Sequence, residues 1–285
     1  MRDSPLHKTR WAGIGASGRL GMLCVLLLVA LGGLGPLVLN LDPFSLSDNR
    51  LVDPRWLLEP GPVLGTDDLG RDMLSRLAHG ARSSLGIGAV VVSFSALVGT
   101  LLGLLAGVYG RWVDAAVTRL TDAIMTLPSI LLAIVVVAVL GPGLLNAMLA
   151  VTLVAVPRFV RTVRSVAALE MKKQYVLAAR TCGLSRFRIL WSEILPNCWG
   201  PVIVQSSLGF GDAILETAAL GFLGLGAQPP VAEWGTMLAD ARPFIESAPY
   251  MVVLPGACIM VTVLGFNLLG DALQDLIDPK GSRGQ

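Results

Sequence analysis

Six stretches of the chain are apolar over about 20 residues, the length a helix needs to cross the hydrocarbon core of a bilayer. They run over 20–41, 84–109, 119–140, 143–163, 199–224 and 249–270. Ahead of the second, Leu69, Met73, Leu77 and Ala81 recur every fourth residue, which predicts an amphipathic helix lying on the membrane surface. Between the first stretch and that helix, Pro43, Pro54, Pro60 and Pro62 favour irregular chain. The fourth stretch meets Pro157 and Arg158, which predicts a span ending in arginines that snorkel to the interface. The expected fold is all-α: a polytopic membrane bundle of six transmembrane helices. It divides into 1–83 (tail, anchor helix and external segment), 84–275 (the core, with a long inner loop at 164–198) and 276–285 (a second tail).

Composition agrees, since 54% of the 285 residues are hydrophobic and only 15% charged, against about 25% charged in soluble domains. The first stretch follows Arg2, Lys8, Arg10 and Arg19, in the manner of a signal peptide. Its length, and the lack of a small-x-small cleavage site after it, predict a retained anchor. Of the 22 Lys and Arg residues, only Arg50, Arg55, Arg71, Arg76, Arg82 and Arg242 fall on one side of the six spans. By the positive-inside rule the richer side is cytoplasmic, and both termini lie there. Cys24, Cys182, Cys198 and Cys258 lack zinc-site spacing, and His7 and His79 stand alone, so neither a metal site nor a disulfide framework is expected. No catalytic constellation and no nucleic-acid partner is expected either.

The inner loop is too polar to span and too patterned to be a plain connector. Tyr175, Ala178, Ala179 and Cys182 share one helical face. Gly183 stands where a helix ends in left-handed conformation, with Leu184 placed for the accompanying apolar contact. Ser185 can cap a second helix whose apolar face is Phe187, Leu190, Trp191 and Ile194, and Pro196 is expected to stop it. A helix, a glycine turn and a second helix result. They either pack against the rest of the chain or present a stripe to a partner's groove.

Here the sequence resembles a known family. Ala178-Ala179-Arg180-Thr181-Cys182-Gly183, followed after nine residues by Glu193-Ile194-Leu195-Pro196, resembles the "EAA" loop of ATP-binding-cassette (ABC) importer permeases. The leading acid of that pattern is Leu177 here. Further stretches resemble the C-type permease subunit of dipeptide, oligopeptide and nickel importers, and most of all its dipeptide branch. They include Leu64-Gly65-Thr66-Asp67-Asp68-Leu69-Gly70-Arg71-Asp72, Ala218-Ala219-Leu220-Gly221-Phe222-Leu223-Gly224-Leu225-Gly226, Glu233-Trp234-Gly235 and Phe266-Asn267-Leu268-Leu269-Gly270-Asp271. The resemblance implies a MetI-like core in a bacterial cytoplasmic membrane and a B-type permease partner. It also implies two ATPase subunits that bind the ATP and an external solute-binding protein delivering a peptide substrate. It implies that Tyr175, Ala178, Ala179, Gly183, Phe187, Leu195 and Pro196 form the surface that couples to the ATPase. A nickel or other small-solute permease is the alternative within the family.

The chain carries no phosphate cradle of its own, because Lys8, Lys172, Lys173 and Lys280 are its only lysines and none follows a glycine. Asp212 and Glu216, four residues apart in the fifth span, share a helix face, where burial of charge is expensive. They either fix the bundle by hydrogen bonding or line the translocation path and meet a peptide's amino group. A proton-coupled secondary transporter using the same two acids is the competing class, but no internal repeat supports it. Gly221, Gly224 and Gly226 are candidates for an outer gate, with Pro229, Pro230 and Trp234 beyond them where a binding protein could dock. Asp122 reads as an interfacial anchor, and Gly99, Gly103 and Gly107 as a ridge for close helix packing.

Overall fold

The computed structural model describes residues 15–38, 42–54 and 62–277, and within these it is a helical bundle. The helices are α1 (Ala16–Gly33), α2 (Gly35–Val38), α3 (Met73–Tyr109), α4 (Arg111–Met125), α5 (Ser129–Leu140) and α6 (Leu144–Glu170). They are followed by α7 (Gln174–Thr181), α8 (Arg186–Ile189), α9 (Leu195–Phe222), α10 (Trp234–Asp240) and α11 (Tyr250–Ile277). The far N-terminal tail, the end of the first apolar window, Pro60 and the tail from 278 lie outside the described residues.

Among the described residues four helices, α1, α3, α6 and α11, are long and apolar enough to span, or five spans if α4 and α5 count as one. This count does not by itself confirm the expected six. Helix α9 has the length, at 28 residues, but Asp212 and Glu216 dilute its apolar run.

Three sequence expectations need correction. The surface helix over 69–85 does not exist as such, because α3 runs unbroken from Met73 to Tyr109. Nothing between them breaks a helix, and the apolar stripe of Met73, Leu77 and Ala81 is buried against the outer cluster around Trp234, not laid on lipid. The third window is likewise two helices, α4 and α5, meeting at 90°. Pro128 holds Leu127 away from helical geometry and cannot donate a backbone bond, so the chain turns there. Finally, α6 does not end at 163 but continues to Glu170, so Arg158 sits mid-helix instead of snorkelling from a terminus.

The bundle closes by backbone approach. A β-carbon at Gly99, Gly103 or Gly107 would lie 2.4–2.8 Å from Phe159, Val160, Val163 or Ala167, so the expected small-residue ridge packs α3 against α6. On the outer side, the Thr66–Asp72 turn is tied down by Asp67. Its carboxylate accepts from the Leu69 and Arg71 amides at 3.0 and 2.8 Å. The Tyr250 hydroxyl donates to the Thr66 carbonyl at 2.8 Å, fastening that turn to α11.

Candidate coupling surface and translocation path

The inner hairpin begins where α6 ends. Helix α7 closes at Gly183, whose φ of +85° is left-handed. Leu184 N donates to Ala179 O at 3.1 Å and Gly183 N to Arg180 O at 2.9 Å, the paired bonds of a glycine-terminated helix. Ser185 then caps α8 by accepting from the Arg188 amide. The expected helix, glycine turn and helix are all present. Pro196, however, does not stop the second helix. The chain passes through a π turn at Leu190–Ile194 directly into α9, so the change of hydrogen-bond register falls just where the proline lacks its N–H.

The hairpin has two faces. Val176, Ile189, Leu190, Ile194 and Cys198 are buried in an inner cluster with Leu104, Val163 and Ala167. Tyr175, Leu177, Ala178, Gly183, Phe187, Trp191 and Pro196 are exposed, while Ala179 and Leu195 are half-buried. The face expected to carry Phe187, Leu190, Trp191 and Ile194 together is thus split: the second and fourth point inward, and Phe187 stays 64% exposed. Leu177, at the position where an acid was expected, is 50% exposed, so an apolar side chain stands there in its place.

A polar brace, missed in the sequence, holds this surface in place. The Tyr175 hydroxyl donates to Glu170 Oε2 at 2.7 Å and accepts from Asn197 Nδ2 at 3.2 Å, while Lys173 meets Glu170 Oε1 at 2.6 Å. The brace joins the ends of α6 and α9 through α7. Loss of water around the phenol, and then its bond to the Glu170 carboxylate, push the Tyr175 pKa up to about 12. The signal that could have found it is Glu170 five residues before Tyr175, with Asn197 next to Pro196.

Deeper in the bundle, α6 carries Arg158, Arg161 and Arg164 at three-residue steps, and each meets acid. Arg158 pairs with Asp212 and lies 3.8 Å from Glu216. Arg161 meets Asp122 at 2.7 Å and Arg164 pairs with Asp114. Asp122 is therefore an inter-helix partner, not a free interfacial anchor. Asp212 is the open member of its group, 54% exposed, and Glu216 the enclosed one, at 13%. The spacing of the arginines, and of Asp114 and Asp122 on one face of α4, was the available signal.

At the outer end Gly221 and Gly226 are buried, while Gly224 is exposed with φ +76°. A β-carbon on Gly221 would come within 2.6 Å of Glu233 Oε2, so this glycine permits α9 to touch the start of α10. Trp234, expected as a docking residue, is fully buried, with its indole N–H donating to Leu77 O at 3.3 Å. Glu233 beside it caps α10 by accepting from the Gly235 and Thr236 amides at 2.8 and 3.0 Å, and from Ser84 at 3.2 Å. Burial raises its carboxyl pKa against the pull of those donors. Pro229 and Pro230 are exposed beside a 230 Å³ cavity lined by Arg71, Arg76, Gly221 and Asp240.

Four or five membrane-length helices among the described residues, packed around a polar hairpin at one end, define a polytopic membrane protein. The family model for binding-protein-dependent transport system inner membrane components matches residues 99–283, and the chain belongs to that family. It is 51% identical over 235 residues to a dipeptide transport system permease protein of Alkalihalophilus pseudofirmus, covering 81% of this chain and 75% of the relative. It is 49% identical over 264 residues to a di/tripeptide transport system permease protein of Pseudomonas aeruginosa, covering 91% and 87%. Its fold is similar to that of a chain of the MetNI methionine ABC transporter solved in inward-facing conformations. There the TM-score is 0.59 at 19% identity, over 72% of this chain and 97% of the other. The family places the chain in the inner membrane as a multi-pass permease subunit that works with a binding protein and an ATPase.

Proposed function

We propose that this chain is a permease subunit of an ABC importer for dipeptides and other short peptides. In this reading it pairs with a B-type permease, both termini are cytoplasmic, and two separate ATPase subunits bind the ATP. The observation that carries it is the hairpin. Phe187 and Trp191 meet edge-on at 6.2 Å between ring centroids, and Leu177 is exposed on the same hairpin, whose other face is locked into the bundle core, so a force on the hairpin is passed to α6 and α9. Tyr175, Ala178, Ala179, Gly183, Leu195 and Pro196 shape and support the hairpin. Because Leu177 replaces the acid of the EAA pattern, docking here is mainly apolar. Asp212 and Glu216 line the path, and Gly221, Gly224 and Gly226 form the outer gate through which substrate enters from the binding protein. The peptide substrate is favoured by the similarity to peptide permeases at about half identity along most of the chain.

The test uses the full transporter reconstituted with its partner subunits. Phe187→Asp should abolish ATP-driven uptake of dialanine and release the ATPases, while the chain remains in the membrane. Normal uptake in that variant would sink the coupling role. Uptake that follows a proton gradient without ATP would return the chain to the secondary-transporter class.

A further inference from the structure

The group around Arg158 does more than neutralise charge at mid-helix. Arg158 lies 14 residues into α6, about 20 Å along the helix axis, well inside the bundle. Its guanidinium reaches across to two successive turns of α9, pairing with Asp212 and standing 3.8 Å from Glu216. One cation therefore serves two carboxylates. Yet the group is not sealed: Arg158 is 35% and Asp212 54% exposed. Charges left this open at mid-helix cannot face lipid cheaply; in the reading above they front the path between this chain and its permease partner.

Two cavities meet there, and Ser129, at the start of α5, lines both. One, of 210 Å³, has Arg158 as its charged group. The other, of 260 Å³, has Asp212 and Glu216. Their remaining walls are mostly apolar, from residues such as Leu127 and Leu215. A cationic pole and an anionic pole thus open on adjoining spaces, with little else to read a ligand by.

We propose that Arg158, Asp212 and Glu216 form an exchange site for a zwitterion: Arg158 takes the terminal carboxylate of a passing peptide while the two acids take its terminal ammonium. The proposal rests on the peptide-import reading above. Empty, the site satisfies itself through the Arg158–Asp212 pair. A peptide with both ends free breaks that one pair and makes two, so no group is stranded. A ligand with only one charged end breaks the same pair and makes only one in return, so it gains less than a zwitterion does. Because both poles hold the ends, the peptide's side chains are left unread.

The experiment compares uptake of dialanine, its C-terminal amide and its N-acetyl derivative by the complete reconstituted transporter. The binding protein's own preference is common to every variant and cancels from ratios. Arg158→Gln should lower the preference for the free acid over the amide by about tenfold, the worth of one charged contact, and leave the N-acetyl ratio unchanged. Asp212→Asn should lower the preference for the free amine over the N-acetyl form and spare the amide ratio. Should Arg158→Gln fail to reach the membrane, Arg158→Lys keeps the charge without the fork and should shift the amide ratio in the same direction by less. Both ratios unchanged, even with reduced rates, would overturn the site and leave the three side chains a packing role. No uptake of dialanine by the unaltered complex would overturn the dipeptide reading itself, and the site with it.

Discussion

Arg164 grips Asp114 with two prongs: Nη2 donates to Oδ2 at 2.8 Å and Nε donates to Oδ1. One turn further out Arg161 donates to Asp122 at 2.7 Å, so α4 is stitched to α6 at both ends of its polar face. Helix α4 is otherwise poorly anchored, because Thr121 is its one fully buried residue. The stitches, more than a core, hold it at right angles to α5.

Breaking the inner stitch should therefore loosen α4 without unfolding the bundle. Both side chains are about one-third exposed, so solvent screens the pair, and a double-mutant cycle of Arg164→Gln and Asp114→Asn should give a coupling of only about 1 kcal/mol. Protease nicking between α4 and α5 should nevertheless rise in each single variant. The exchange variant carrying Asp114→Arg with Arg164→Asp should restore resistance. Additive effects with no restoration would mean the pair does not hold α4.

At Gly183 the prediction separates conformation from space. Its φ is +85°, and nothing lies within 4 Å of where a β-carbon would sit. A side chain fits but the backbone resists, by about 1–2 kcal/mol for most residues and less for asparagine. Gly183→Asn should retain most uptake, whereas Gly183→Val should lose it while the subunit still reaches the membrane. Equal uptake in the two variants would show that the turn's left-handed conformation is not what the hairpin needs.

The hairpin was legible because its signals are local: a glycine at the helix end, a serine cap and four-residue apolar steps each act within one turn. The apolar windows likewise located most of the bundle. What they hid was continuity. A hydropathy average does not distinguish a surface helix from the outer end of a long span, and so Met73–Tyr109 was divided. Nor does it separate a straight span from one bent at Pro128. A proline also has two meanings, stopping a helix from within and suiting its first turn, and Pro196 takes the second. The ion pairs of Arg158, Arg161 and Arg164 lay hidden for another reason. Positive charge near a membrane is ordinarily read as topology, and only the packing of α6 against α4 and α9 reveals partners up to 54 residues away.

The brace at Tyr175 carries a pH consequence. Its phenol pKa rises from the usual 10.0 to about 12 in the folded chain, so folding favours the protonated form. The stabilisation is complete below pH 10.0 and is lost as pH rises from there to about 12. Tyr175→Phe removes this dependence. Thermal unfolding of the variant should fall less steeply over that alkaline window, with a lower midpoint at neutral pH from two lost hydrogen bonds. Parallel curves for the two proteins would separate Tyr175 from the titration.

At the outer face, Gly235 and Gly256 offer a matched comparison. A β-carbon on Gly235 would sit 2.4 Å from the Ala218 carbonyl oxygen, whereas one on Gly256 meets nothing within 4 Å. The first contact is backbone against backbone and neither side can swing away. To admit it, α10 must lift from α9, pulling Glu233 off the Gly235 and Thr236 amides and Trp234 out of its pocket against Leu77. Gly235→Ala should then cost several kcal/mol, in the range of buried-core damage. Gly256→Ala, inside α11 with room to spare, should be neutral or stabilising by up to about 1 kcal/mol. In a background whose other five tryptophans are replaced by phenylalanine, fluorescence reports the difference, because lifting α10 exposes Trp234 and shifts its emission to the red. A Gly235→Ala protein with native emission and native thermal midpoint would mean that the close approach of α9 and α10 is not required for the outer face to hold together.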